Sequence, residues 1–214
     1  MGTNIGVVQQ DTARIFSEGI EALLKLNRRG EACVIDFLTQ AVLEGRGYQV
    51  RAGTITAPLT SDVLITDAAA EMCADAAVGL AIMPCQLVVD VESLGGTLPQ
   101  VAAKSVGTVS SAGTAFTPLP LFLQNAVAKV ASRATARVAA AGGVTVSAEV
   151  NTTTRDHFMR TMAVAGDVQA EWKPVLIPII GGGACFYVQV GAVATGSAYF
   201  AHFDFLEFLL NVLE

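Results

Sequence analysis

The pattern of apolar and polar positions is clearest in the last quarter of the chain. From Pro174 to Phe203 there is no Asp, Glu, Lys or Arg, and apolar residues alternate with small or polar ones. Two segments, 185–194 and 198–208, flank Thr195, Gly196 and Ser197. Gly followed by a small polar residue suits a type II′ turn, in which Gly takes the position with φ above zero. With Gly196-Ser197 as a two-residue loop, Val190 falls opposite Phe203, Val188 opposite Phe205 and Tyr199 opposite Ala194. Phe186, Ala192 and Ala201 share that face. Tyr187, Gln189, His202 and Asp204 take the other, with Gln189 opposite Asp204. The expectation is an antiparallel hairpin with one buried face.

Earlier segments carry other periods. Asp11 is a helix cap, followed by Phe16, Ile20, Leu23 and Leu24 on one helical stripe, with Asn27-Arg28-Arg29-Gly30 as the stop. A second stripe, Cys33, Val34, Phe37, Leu38, Ala41 and Val42, closes at Gly45-Arg46-Gly47, with a strand over 32–38 as the competing reading. From Tyr48 onward the texture is short and β-like. Strands are expected over 48–57, 63–66, 78–92, 101–109, 144–151, 158–165 and 175–180, with 68–77 ambiguous and 166–172 a loop. In 78–92, Leu87, Val89 and Val91 face one way and Val88, Asp90 and Glu92 the other, while Pro84 requires an edge, a bulge or a break. In 144–151, Val144, Val146, Ala148 and Val150 point inward. Thr117-Pro118 opens a different stretch. Leu123, Val127, Val130, Ala131, Ala134 and Val138 recur at helical spacing in Ala-rich sequence, up to Gly142-Gly143, which predicts a long inserted helix over about 118–141. The last residues, from Phe205, fit a helical stripe as well as a strand.

These elements give a mainly β chain with added helices: an antiparallel β-sandwich, jelly-roll-like, over 47–214, preceded by an N-terminal helical arm over 1–46. Strict alternation of strands with helices is absent, which argues against a doubly wound α/β sheet.

Composition sharpens the picture. The 214 residues are 52% hydrophobic and only 15% charged, against about 25% charged in ordinary soluble domains. Mean hydropathy is +0.53. So much apolar surface must be hidden in a core, against other subunits or in lipid. The two long uncharged stretches, 105–128 and 174–203, are broken by Gly and Pro, so no membrane span is expected. Residues 1–6 have neither a basic nor an apolar region of the secretory kind, and Gly6 stands where a myristoylation motif wants Ser or Thr. A net charge of −6 opposes general phosphate-backbone binding, and no sequence-specific nucleic-acid partner is expected.

No motif identifies a chemistry. Gly181-Gly182-Gly183 follows a strand but lacks the Lys-Ser/Thr and helix of a phosphate loop, and reads as a turn. Cys33, Cys73, Cys85 and Cys185 lie among apolar neighbours with no zinc spacing, and read as buried thiols of a chain that folds in a reducing cytoplasm. A Cys185 nucleophile served by His202 and Asp204 is opposed by the burial of Cys185 and its distance along the hairpin. His157 reads as a solvated loop residue or a subunit contact. Asp62, Asp67, Asp75, Asp90 and Glu92 lack calcium-loop spacing. Lys129, Arg133 and Arg137 form a stripe on the expected helix and read as a solvated or acid-facing surface. No catalytic, cofactor-binding or metal-binding residue is assigned, no cofactor is expected, and the chain is read as non-enzymatic.

In its β-rich, low-charge, motif-free texture over 48–208, the chain resembles virion structural proteins of the jelly-roll kind: coat, cement or spike subunits of a bacteriophage or similar virus. The resemblance implies self-association into a homo-oligomer or shell, contact with other virion proteins, and a place in the virion after synthesis in host cytoplasm. The arm holds only Arg14, Lys25, Arg28, Arg29 and Arg46 as basic residues against several acids, which favours a shell or decoration role over genome packaging. Two alternatives belong to other classes. One is a lectin-like ligand-binding jelly roll, for which Trp172 beside Glu171 is the one hint. The other is a cysteine-dependent hydrolase using Cys185.

Overall fold

The structure, a computed structural model, describes residues 37–61, 65, 69–93, 98–124, 127–128, 131–139, 143–146, 154–162, 169–191 and 196–210. The expected first helix lies outside the described residues, as do Cys33 and Val34 at the start of the second stripe. The second helical stripe survives in part as α1 (Phe37–Leu43). The strands that follow are β1 (Gly47–Ala52), β2 (Leu59–Thr60), β3 (Ala69–Ala70), β4 (Met72–Asp75), β5 (Leu80–Ser93) and β6 (Gln100–Val106). Next come β7 (Ser111–Ala112), β8 (Thr114–Phe116), β9 (Leu119–Pro120), β10 (Leu123–Gln124), β11 (Val127–Ala128) and β12 (Thr135–Val138). The chain continues through β13 (Val144–Thr145), β14 (Arg155–Thr161), β15 (Gln169–Trp172), β16 (Ile180–Gly181), β17 (Cys185–Gly191) and β18 (Ala198–Leu209).

Two antiparallel sheets carry the fold. The first runs β15-β5-β18-β1-β9, with β16 also on β5 and β2 on β18; the second runs β14-β6-β17-β4-β12-β8. A small sheet, β3-β13-β7, stands apart. The inner faces of the two large sheets supply one core. Val50, Leu87, Val89, Tyr199, Phe203 and Phe205 come from the first sheet, and Met72, Ala74, Val101, Ala103, Phe186 and Val188 from the second. Phe186 meets Phe203 edge-on, with ring centroids 5.1 Å apart.

The period-two reading of the last two strands is correct in face and wrong in partner. Phe186, Val188 and Val190 face the core from β17, and Tyr199, Ala201, Phe203 and Phe205 face it from β18. The two strands do not form a hairpin, because β17 pairs with β4 and β6 while β18 pairs with β5, β1 and β2. Asp204 therefore lies beside Gln49 rather than Gln189. Gly196 is not among the glycines with positive φ, so it does not act as a II′ turn residue. Its backbone packs on Ser61 so closely that a Cβ would come within 2.7 Å of the Ser61 carbonyl oxygen. Ser197 is pinned there by Ser61 N–H donating to its carbonyl and Ser197 N–H donating to Ser61 Oγ, both at 2.8 Å.

Pro84 shows how a long strand tolerates proline. On its outer edge β5 pairs with β16 at Ala81–Ile82 and with β15 at Leu87–Asp90, and Pro84 falls in the gap between them. Against β18 the register steps from Gln86↔Asp204 to Pro84↔Phe205, which leaves Cys85 as a bulge.

The long inserted helix over 118–141 is not formed in the described residues of that stretch. They hold β9, β10, β11 and β12 instead. Period two competes with period 3.6 in the same letters. Ala136 is buried and Val138 packs beside it on the core, while Thr135 and Arg137 turn away. Pairing of Thr135–Val138 with Met72–Asp75 satisfies the free edge of β4, and that outweighs the Ala preference for helix, which is worth only tenths of a kcal/mol per residue. The expected loop at 166–172 yields a strand at its end, β15, and the expected strand at 175–180 reduces to Ile180–Gly181. Pro174 and Pro178 lack the N–H groups that a strand there would need. Of the two readings for the last residues, the strand holds as far as Leu209.

Phe203 tests where stability is concentrated. Phe203→Ala should cost about 3–5 kcal/mol in urea unfolding, while Val175→Ala should change it by less than about 0.5 kcal/mol.

Candidate functional site

Among the described residues, the surface best suited to binding is apolar and lies on the outer face of the first sheet. There α1 rests on the sheet through Ala41, which clusters with Met83, Leu206 and Phe208. Phe37 stacks on Phe208 at 5.5 Å. The helix does not cover the whole face. A groove of about 430 Å³ remains between Leu38 and Val42 on one side and Ile177 on the other, with Cys85, Asp204 and Leu206 on its floor. Its rim continues into the loop that Pro174 and Pro178 keep out of the sheet. Val175 is 99% exposed and Leu176 88%, with Ile179 exposed beside them.

The polar groups of the floor are held rather than poised for chemistry. Gln49 Nε2 donates to Asp204 Oδ1 at 2.9 Å. Burial raises the Asp204 carboxyl above its ordinary value, while the Gln49 bond and the nearby His202 pull it down. Burial, and then Asp204, push the Cys85 thiol up to about 11. The thiol, the weakly nucleophilic form, is thus favoured, and its Sγ donates to the Asp204 carbonyl at 3.4 Å.

A second cluster lies on the opposite side of the molecule, on the face of the second sheet turned away from the main core. Cys73 and Asp75 alternate on β4, so both side chains leave the same face. Cys185 is the cross-strand partner of Asp75, and Tyr187 that of Cys73. Cys73, Cys185 and Tyr187 pack with Ala70, Val106, Val144 and Val146, partly under the small sheet. The donor atoms of Cys73, Asp75 and Cys185 all lie within 4.8 Å of one another. Ser110 closes the group. Its N–H and its Oγ donate to the two Asp75 carboxylate oxygens at 2.9 and 2.8 Å, and Cys73 Sγ donates to Ser110 Oγ at 3.1 Å. Burial, Cys73 and Asp75 together push the Cys185 thiol well above its ordinary value. Lys104 is fully buried on the same face, with Nζ donating to the Ile65 carbonyl at 3.2 Å and lying 3.9 Å from Asp156 Oδ1.

The other sequence candidates are dispersed. Cys185 belongs to the outer cluster of the second sheet, while His202 and Asp204 alternate with core residues on the first. The core thus separates the imagined nucleophile from its base. His157 is not a solvated loop residue. It sits in β14 with Nε2 2.8 Å from Ser105 Oγ, its ring 6.2 Å from Trp172 and 6.1 Å from Phe186, and burial lowers its pKa. Trp172 is buried in the core, and Glu171 pairs with Lys173 at 2.6 Å, so the lectin-like hint has no exposed ring behind it. Arg133 and Arg137 share no helix face. Arg133 N–H donates to the Glu207 carboxylate at 2.8 Å, and Arg137 lies in β12 opposite Cys73. Lys129, Asp62 and Asp67 lie outside the described residues. Asp90 accepts from Gln169 at 2.8 Å on the sheet edge. The loop Gly181–Gly183 is a turn pressed on Ala77–Gly79, where a Cβ on Gly182 would come within 2.7 Å of the Ala77 carbonyl oxygen. The Cys73–Asp75–Cys185 group escaped the sequence reading because its members are distant in the chain. The available signal was Cys-x-Asp on a strand, which is too common to select.

Comparison with protein-family models, with curated proteins and with solved structures finds no match for this chain.

The groove floor yields a pH prediction. A carboxyl raised in the folded state holds its proton longer than in the unfolded chain, so stability falls as pH climbs from the ordinary carboxylate range toward neutrality. Asp204→Asn keeps an acceptor for Gln49 and removes the charge. Its urea midpoint at neutral pH should equal or exceed that of the wild type, and should decline less between about pH 4 and 7. A lower midpoint at neutral pH would refute this account of Asp204.

Proposed function

We propose that this protein is a non-enzymatic structural subunit of a viral, bacteriophage-type shell, a jelly-roll β-sandwich that associates with copies of itself and with other virion proteins. The observation that carries self-association is the exposed apolar loop at Val175 and Leu176 beside an apolar groove. A chain that is 52% hydrophobic and only 15% charged has reason to cover such a surface with protein.

Strand pairing supports the jelly-roll reading. Let β1, β4, β5, β6, β14, β15, β17 and β18 be counted from first to eighth. The first pairs with the eighth, the second with the seventh, the third with the sixth and the fourth with the fifth. That is one long antiparallel ribbon folded back on itself. Rolling it up adds the eighth beside the third and the seventh beside the fourth. The result is a pair of four-stranded sheets, the scheme of jelly rolls in capsid, lectin and cupin domains. The capsid role is preferred because the lectin hint at Trp172 is buried. The reading places the protein in a virion after synthesis in host cytoplasm. No helix among the described residues is long and apolar enough to cross a membrane.

Size-exclusion chromatography with light scattering tests the reading. The wild type should have a mass several times the 22.2 kDa of one chain. The double variant Val175→Asp, Leu176→Asp should run at a lower multiple with an unchanged melting temperature. A wild type that stays monomeric at micromolar concentration would overturn the proposal.

A further inference from the structure

We propose that Cys73, Asp75 and Cys185, with Ser110 completing the set, form a structural site for a divalent cation of the zinc class. The inference stands on its own geometry and is independent of the assembly reading. Two thiols and a carboxylate, drawn from adjacent strands, have their donor atoms mutually within 4.8 Å and are all buried. Ser110 Oγ touches two of the three donors, at 3.1 Å from Cys73 Sγ and 2.8 Å from Asp75 Oδ2, and is the natural fourth ligand. Sulfur with one carboxylate selects zinc-like ions over magnesium or calcium, which take oxygen sets. A closed set of four buried donors is the form of a structural rather than a catalytic site.

Two further observations point to an ion. Asp75 is a buried carboxylate with no cationic side chain within ion-pair distance among the described residues, and Lys104 on the same face is directed to Ile65 and Asp156. A buried carboxylate compensated by neutral partners and no cationic side chain is costly. Arg137 is the cross-strand partner of Cys73 on its other side. Its guanidinium donates through Nη1 to the Ala112 carbonyl at 3.4 Å, while its buried Nε has no hydrogen-bond partner. Binding balances as follows. The cation enters, two thiol protons leave to solvent, and the resulting dithiolate–carboxylate centre has a net charge of minus one. Arg137, on the strand next to Cys73, carries a charge of the opposite sign. The ion would tie β4, β17 and the segment after β6 together at one point.

The test uses the full chain, purified under reducing conditions, stripped with chelator and titrated with Zn²⁺ and with Co²⁺. We expect about one ion per chain at this site, a thiolate-to-cobalt absorption band and a higher melting temperature with zinc. Cys185→Ala and Asp75→Asn should each weaken binding by about ten-fold or more, while Cys85→Ala leaves it unchanged. Circular dichroism on each apo variant separates loss of the site from loss of the fold. Absence of binding by the folded, reduced wild type overturns the proposal. So does binding that survives in a folded Cys185→Ala variant, or a native Cys73–Cys185 disulfide.

Discussion

The structure depends on the contact between the inner faces of β17 and β18. These strands follow one another in the chain, yet they lie in different sheets. Phe186 from one meets Phe203 from the other across the core, edge to face, where aromatic pairs add to the gain from burial. Around that contact β18 gathers β5 and β1, and β17 gathers β6 and β4. Each of the two strands is flanked by neighbours on both sides, so its backbone groups are satisfied within the sheet while its apolar face is shared with the opposing sheet.

Much of this was legible in the letters. The faces of β5, β17 and β18 follow from period two alone, as Leu87, Val89 and Val91, or Phe203 and Phe205, show by their place in the core. A side chain's face depends only on its own strand. A partner depends on the whole chain, and there the reading failed, since Gly196 looked like a turn residue and is instead a close-approach residue against Ser61. The stretch around Arg137 failed for a related reason. Its letters satisfy two periods, and the edge of β4 selected one of them. Pro174 and Pro178 carry a signal against a strand that the apolar letters between them conceal.

The apolar groove and the buried cysteine group differ in how far sequence could foresee them. Excess hydrophobic content announced that some greasy surface would remain, though not that it would concentrate at Val175 and Leu176. The cysteine group is a product of register. Cys185 faces Asp75 only because β17 lies against β4 at one particular offset, and a slip of one residue would turn Cys185 into the main core instead.

The position of β18 also governs the timing of folding. The last described strand lies between β5 and β1, in the middle of its sheet. During synthesis those two earlier strands emerge first and have no direct ladder to each other in the finished protein. The first sheet can close only after β18 has left the ribosome, so the nascent polypeptide must keep its strand edges apart until then. A chain that stops short of β18 holds every strand of the second sheet but lacks the one that joins β5 to β1, so half of the core is left without its opposing face.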